Sequence, residues 1–207
     1  YRCALVARTE DKLEQIRNKL GTHHRVFPAD LSDLGCIPGL VSDIVDDMER
    51  LDVLVNNAGV GAGGPVQEGG TEDWHQAIHV NTLAMMLLTR HAAPHLLKST
   101  RPAVINTVSI SGQQVQKGQG PYCASKHAAR AFSHATFEDM REHGVKVCAI
   151  CPGLVNTEMP DGEGLNRDLM IQRSDIAYTV RYVLEFPETG CPTEITIRPQ
   201  RSPYVEA

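Results

Sequence analysis

A tyrosine and a lysine four residues apart could carry out proton transfer. Tyr122 and Lys126 lie at the start of a predicted helix, where this spacing places both side chains on one face. A phenol is a weak acid–base catalyst at neutral pH, but a nearby ammonium ion lowers its pKa towards the working range. Ser109 follows a predicted strand directly, and its hydroxyl can donate to a carbonyl oxygen. Together the three side chains could relay a proton to or from a substrate oxygen. On its own, a Tyr and Lys pair more often serves packing and a solvated charge.

The elements that must position these residues alternate between short apolar runs and helical periodicity. Strands are predicted at 3–7, 25–27, 51–55, 103–108, 145–151 and 194–198. Long helices are predicted at 72–98, with a kink or break near Pro94, and at 122–143. This alternation predicts an α/β fold, with parallel strands and crossover helices on both faces of an open sheet. Ligands bind outside the carboxyl ends of the strands in such sheets, which is where Ser109 lies.

Composition excludes several other functions. The net charge of −5 argues against nucleic acid and anionic membranes as partners. The longest apolar run, 83–88, is far shorter than the roughly 20 residues that span a bilayer. Six cysteines without a framework indicate free thiols in a reducing compartment, so a cytoplasmic location is expected. Cys148 and Cys151 would point to opposite faces of one strand, and no metal site is expected.

Further motifs accompany the Tyr and Lys pair in a particular order. Asn-Asn-Ala-Gly occupies 56–59, and Asn81 lies in a predicted helix. Ser109 stands thirteen residues before Tyr122, with Ser111 as a nearby competitor for its role. A Pro-Gly-x-x-x-Thr motif occupies 152–157. In these motifs the chain resembles the short-chain dehydrogenase/reductase family over essentially its whole length. The resemblance implies a Rossmann-like doubly wound parallel sheet in a single domain, 1–207.

The resemblance also implies catalytic roles. Tyr122 would transfer a proton to or from the substrate oxygen, and Ser109 would hold that oxygen. Lys126 would lower the pKa of Tyr122 and bond the nicotinamide ribose. Asn81 would help to hold a water that leads towards Lys126, or would be a helix-kinking amide satisfied by backbone. The implied activity interconverts a small-molecule carbonyl and a secondary alcohol, as in 3-oxoacyl or small-carbonyl reductases.

A nicotinamide cofactor is implied as well, and NADPH is expected rather than NAD. The stretch 6–9 contains no acid, and the guanidinium of Arg8 can pair with a 2′-phosphate, unless it is an ordinary surface arginine. Two of the segments implied to bind the cofactor have simpler readings: Asp30 could be only an Asx-turn residue, and 57–59 could be only a glycine-rich turn. The implied cofactor-binding residues are Arg8, Asp30, Leu31, Asn57, Ala58, Gly59, Tyr122, Lys126, Pro152, Gly153, Val155 and Thr157.

The sequence departs from the family at its front. The family's Gly-x-x-x-Gly-x-Gly turn and the strand before it are absent, and the glycines at 61–64 lie in the wrong unit. We therefore expect a fragment or an incomplete gene model, without the first strand and helix, of a complete enzyme. The alternative is a natural truncation without catalysis. The chain begins at Tyr1 rather than Met, so the sequence leaves open whether a targeting segment precedes it. Because the glycine-rich turn is absent, the sequence identifies no pyrophosphate-binding residues.

Two other classes of function are weighed. One is a non-catalytic scaffold or cofactor-binding protein that retains the fold. The other is an extended-type epimerase or dehydratase, which needs a larger C-terminal domain than the about 50 residues that follow Gly153. The family resemblance implies a homodimer or homotetramer through helices 72–98 and 122–143. The loop 156–172 is expected to be a mobile lid, and its sequence indicates no substrate preference.

Overall fold

A computed structural model of the chain describes residues 1–159 and 164–204. Strands and helices alternate along them. The strands are β1 Ala4–Ala7, β2 Arg25–Pro28, β3 Val53–Asn56, β4 Ala103–Thr107, β5 Lys146–Pro152 and β6 Glu194–Ile197. The α-helices are α1 Glu10–Leu20, α2 Ile37–Met48, α3 Thr71–Ile78, α4 Met85–Leu96, α5 Gly120–Met140 and α6 Arg173–Glu185. Every strand predicted from the sequence is present, with ends that differ by one or two residues.

All the strand pairs are parallel, which confirms the predicted α/β class. One sheet has the order β3-β4-β5-β6, and β1 pairs with β2 in a second sheet. In the larger sheet β4 and β5 are buried almost throughout, because helices cover both faces. Cys148 packs towards α6 with Val183, whereas Cys151 packs towards α5 with Ala129. The two thiols therefore lie on opposite faces, as predicted.

The helix predicted at 72–98 is interrupted, and at a different place from the one expected. A π-helical segment, His79–Ala84, lies between α3 and α4. Pro94 lies inside α4 without ending it. The carbonyl of Arg90, which an amide at position 94 would have bonded, belongs to an exposed residue, so water can satisfy it. The break at 79–84 instead coincides with Asn81, whose side chain is bonded outside its own helix.

The helix predicted at 122–143 corresponds to α5 and a short 3₁₀ turn, Arg141–His143. In the part of the chain that the structure describes, none of the helices has the length and apolar character needed to cross a bilayer.

Candidate active site

Ser109 begins a tight turn directly after β4. Its hydroxyl accepts a hydrogen bond from the Ser111 amide at 3.0 Å, which caps the 3₁₀ turn Ile110–Gly112. Gly112 packs against α5 so closely that a Cβ there would lie 2.6 Å from the Lys126 carbonyl oxygen. The buried Ser109 is therefore held beside the first turns of α5, where Tyr122 and Lys126 lie.

Tyr122 and Lys126 share one face of α5, as their spacing predicts. The Lys126 ammonium lies 5.8 Å from the centre of the Tyr122 ring and donates to the Thr107 carbonyl at 3.2 Å. Burial raises the pKa of Tyr122 above its usual value, although a hydrogen bond with Ser109 acts in the opposite direction. Burial also lowers the pKa of Lys126 to about 8.

The net shift of the Tyr122 pKa is set by burial rather than by Lys126. Lys126 was expected to lower the pKa of Tyr122; that effect stays a prediction, because the causes of the raised pKa are burial and Cys123, opposed by Ser109. The half-buried phenol loses part of its hydration, which disfavours the phenolate more than the Ser109 hydroxyl favours it. Tyr122 is accordingly protonated at neutral pH, which suits it to donate a proton.

Asn81 projects from the π-helical segment, and its side-chain amide is bonded on both sides. The Oδ1 atom accepts from the Val60 amide at 2.8 Å. The Nδ2 atom donates to the Val60 carbonyl at 2.9 Å and to Ser125 Oγ at 3.0 Å. This is the second reading allowed by the sequence, an amide satisfied largely by backbone, and it ties the loop after β3 to α5. The water-holding role of Asn81 stays a prediction.

The loop after β3 passes directly beside Lys126. A Cβ on Gly59 would lie 3.5 Å from the Lys126 Nζ atom and 3.4 Å from Asn81 Oδ1. Asn57 and Ala58 are exposed at the carboxyl end of β3. The absence of a side chain at Gly59 leaves room at the ammonium group, so this loop fits the close backbone approach that a dinucleotide requires. The role of 57–59 in cofactor binding stays a prediction.

The Pro-Gly motif ends β5 on the same side of the sheet. Gly153 donates its amide to the Ile197 carbonyl at 2.8 Å, and a Cβ there would lie 3.7 Å from Ile110 Cδ1. Gly153 is thus adjacent to the turn that begins at Ser109. Pro152 is buried, whereas Val155 pairs with Ile171 in an isolated bridge and Thr157 lies two residues beyond it. Of the predicted lid, 156–172, residues 160–163 lie outside the described residues.

The remaining predicted cofactor residues lie at the ends of β1 and β2. Arg8 is exposed after β1, and its charge contributes to a lowered pKa of Asp30. The main cause of that lowering is the Asp30 Oδ1 atom, which accepts from the Ser32 amide at 2.9 Å and its hydroxyl at 2.8 Å. Asp30 therefore forms the Asx-turn that the sequence left open. Leu31 packs against α2.

Two polar networks near the site were not predicted from the sequence. Asn56 Nδ2 donates to Asn106 Oδ1 at 2.8 Å, in the buried space between β3 and β4. A second network joins Glu194 of β6 to Gln113, Arg130 and His134. Its sequence signal is the spacing of four that continues from Tyr122 and Lys126 to Arg130 and His134. Within residues 1–159 and 164–204, no group of three or more His, Cys, Asp or Glu side chains could hold a metal ion.

The chain is similar to known proteins over most of its length. A family model described as short chain dehydrogenase matches residues 1–167. An uncharacterized oxidoreductase of Staphylococcus epidermidis is 31% identical over 195 residues, which cover 94% of this chain and 85% of that protein. Meso-2,3-butanediol dehydrogenase of Serratia marcescens is 35% identical over 133 residues, which cover 64% of this chain and 53% of that protein.

Solved structures show the same fold. An alcohol dehydrogenase from the archaeon Thermococcus sibiricus, complexed with 5-hydroxy-NADP, superposes with a TM-score of 0.86 at 26% identity. That match covers 99% of this chain and 89% of the other. A metagenomic short-chain oxidoreductase in complex with NADP superposes with a TM-score of 0.79 at 28% identity, covering 97% and 86% of the two chains.

Proposed function

Because this chain belongs to the short-chain dehydrogenase/reductase family and is an oxidoreductase of that type, we propose that it interconverts a carbonyl and a secondary alcohol with NADPH. The observation that carries the proposal is the cluster of Ser109, Tyr122 and Lys126 beside Gly59. A nicotinamide cofactor, when bound, supplies or accepts the hydride at the substrate carbon. The chain's own side chains stabilise the charge that develops on the substrate oxygen.

Tyr122 is the proton donor in the direction of carbonyl reduction. Its raised pKa keeps the phenol protonated at neutral pH, so its hydroxyl can donate to the carbonyl oxygen. Ser109 donates a second hydrogen bond to that oxygen. When the proton leaves, the phenolate faces the Lys126 ammonium, which lies close to the ring and stabilises the negative charge. In the reverse direction the phenolate accepts the alcohol proton.

The residues proposed to hold the cofactor around the site belong to α5 and to the segments at the ends of β3 and β5. Lys126 would bond the nicotinamide ribose, and the backbone of 57–59 would approach the adenosine half of the cofactor, with Gly59 leaving space beside the Lys126 ammonium. Pro152, Gly153, Val155 and Thr157 would border the nicotinamide end, with Tyr122. Asn81 would support the loop through its bonds to Val60.

Charge favours NADPH over NADH. Arg8 is exposed after β1, where its guanidinium can pair with a 2′-phosphate, and the stretch 6–9 has no carboxylate to repel one. Asp30 and Leu31, after β2, would border the adenine. Two of the similar solved structures contain NADP or a derivative, which supports the same choice.

The substrate is proposed to be a small-molecule ketone. The similarity to meso-2,3-butanediol dehydrogenase makes a small diketone the first substrate to test, and a 3-oxoacyl thioester the second.

We also propose a homodimer or homotetramer through α3 to α4 and α5. In α5 the surface opposite Tyr122 carries exposed alanines, Ala124, Ala128, Ala131 and Ala135, which allow a second helix to approach closely.

The decisive experiment compares Tyr122→Phe with Tyr178→Phe in the full-length protein, measuring NADPH oxidation with a diketone and a 3-oxoacyl thioester. Tyr178 is exposed on α6 and serves as the matched control. We expect Tyr122→Phe to lower kcat by about 10²- to 10⁴-fold and to retain NADPH binding, with the control unchanged. Unaltered turnover in Tyr122→Phe would refute the proton role. NADPH binding without turnover of any carbonyl by the wild type would indicate a non-catalytic cofactor-binding scaffold.

A further inference from the structure

One carboxylate contacts both of the segments that carry Ser109 and Tyr122. Glu194 begins β6, and its side chain is 21% exposed. It accepts from Arg130 Nε at 2.6 Å and Nη2 at 3.2 Å, and from His134 Nε2 at 2.8 Å. It also accepts from Gln113 Nε2 at 2.7 Å. Gln113 follows the Ser109 turn, whereas Arg130 and His134 belong to α5, so Glu194 bridges the two segments.

The α5 partners of Glu194 continue the catalytic face of the helix. Tyr122, Lys126, Arg130 and His134 are spaced by four residues, so their side chains lie along one side of α5. Bonds from Glu194 to two successive turns oppose both rotation and sliding of the helix. The placement of Tyr122 relative to the sheet is therefore coupled to Glu194.

Gln113 holds the far end of the turn that begins at Ser109. The Gly112 amide donates to the Ser109 carbonyl at 2.9 Å, and the Gln113 amide donates to the Ile110 carbonyl at 2.9 Å. The Gln113 side chain then reaches β6, where Nε2 donates to Glu194 and, at 2.7 Å, to Thr196 Oγ1. The hydrogen-bonded rings 109–112 and 110–113 share the residues 110–112. Movement of Gln113 would therefore move Ser109.

We propose that Glu194 is a positioning residue that, through Gln113 and Arg130, sets the placement of Ser109 relative to Tyr122. The inference rests on the proposed function. Neither Glu194 nor Gln113 touches a reacting atom in the proposed reaction, so both act through Ser109 and Tyr122. A shared carboxylate with several donors differs from exposed surface pairs such as Arg181 and Glu185, which contribute little.

The test of this coupling is a double-mutant cycle between Gln113→Ala and Ser109→Ala. Alone, Gln113→Ala should lower kcat by about tenfold, because small misplacements of catalytic groups are costly, with the KM for NADPH unchanged. In the Ser109→Ala background the same change should have almost no effect, because the group that it positions is already absent. Equal fold-losses in both backgrounds would overturn the proposal.

A second readout does not depend on activity. Hydrogen exchange of the 109–114 amides should become about tenfold faster or more in Glu194→Gln and Gln113→Ala, whereas 103–107 stays protected. Glu185→Gln, in an exposed pair, is the matched control. Gln113→Ala leaves the bonds between Arg130 and Glu194 in place, so it carries the test if Glu194→Gln does not fold.

The two readouts separate the two proposals. Faster exchange at 109–114 in a protein without reductase activity would refute the proposed function and support the positioning role of Glu194. Unchanged exchange in both variants would overturn the positioning role, whatever the activity of the wild type.

Discussion

The carbonyl oxygen of Lys126 lies where a side chain on residue 112 would begin. A Cβ placed on Gly112 would be 2.6 Å from that oxygen and 2.8 Å from Val108 Cγ1. Only a residue without a side chain lets the turn that starts at Ser109 pack this closely on α5. The contact therefore brings the serine to the helix face that carries Tyr122.

Gly112→Ala should consequently damage both stability and activity. We expect the free energy of unfolding to fall by about 1–3 kcal/mol, because the added methyl group forces the turn away from α5. The value of kcat should fall with it, since Ser109 moves. Urea unfolding and steady-state kinetics measure the two effects. Gly39→Ala is the control: it lies within α2 with open space around it and should be neutral or stabilising by about 0.5–1 kcal/mol.

Lys126→Met should raise the stability of the fold at neutral pH and abolish most of the activity. Burial lowers the pKa of Lys126 to about 8 from 10.5, which corresponds to about 3 kcal/mol against the charged form in the folded state. Loss of the bond to Thr107 offsets about 1 kcal/mol of this. The variant should therefore unfold at higher urea concentrations at pH 7 and have almost no activity.

The same variant makes a pH prediction with a definite sign. Between about pH 8 and 10.5 the unfolded chain keeps a proton on Lys126 that the folded chain has lost, so wild-type stability rises with pH relative to the variant. The advantage of Lys126→Met should thus shrink over this interval. Lys98→Met, at an exposed position, should show no such trend. A variant that is less stable at pH 7, by an amount independent of pH, would contradict the prediction.

Asn106→Ala should destabilise the fold without touching the cofactor. Its side chain accepts from Asn56 Nδ2 at 2.8 Å and donates to Ser133 Oγ at 2.8 Å, all in buried surroundings. Removal of the Asn106 side chain leaves the buried Asn56 Nδ2 donor without its shortest hydrogen bond. We therefore expect the free energy of unfolding to fall by about 2–3 kcal/mol. Thermal or urea unfolding measures it. Asn18→Ala, exposed on α1, should stay within about 0.5 kcal/mol of the wild type.

Arg8→Ala should change the choice of cofactor. If its guanidinium pairs with the 2′-phosphate, kcat/KM for NADPH should fall by about tenfold or more, and the value for NADH should hardly change. Arg181→Ala, exposed on α6, controls for a general loss of positive charge. An equal decrease for both cofactors, or no decrease, would show that Arg8 does not distinguish them.

Local patterns were sufficient for the elements and for the three side chains at the centre of the site. Tyr122 and Lys126 lie on one face of a helix because a spacing of four requires it. Ser109 lies near them because it follows β4, and the crossover helix after a parallel strand begins at that strand's carboxyl end. The opposite orientations of Cys148 and Cys151 follow equally from strand alternation.

Other features depend on contacts between distant parts of the chain. The π-helical break at 79–84 coincides with the bonds between Asn81 and Val60, and the raised pKa of Tyr122 depends on how much of the fold covers the phenol. The bridge through Glu194 joins residues 60 or more positions apart. The sequence by itself determined the α/β elements and the residue types of the candidate site, because periodicity and residue type are local. Only the tertiary structure decided the protonation of that site and what holds it in place, because burial and long-range hydrogen bonds exist only after the chain has packed.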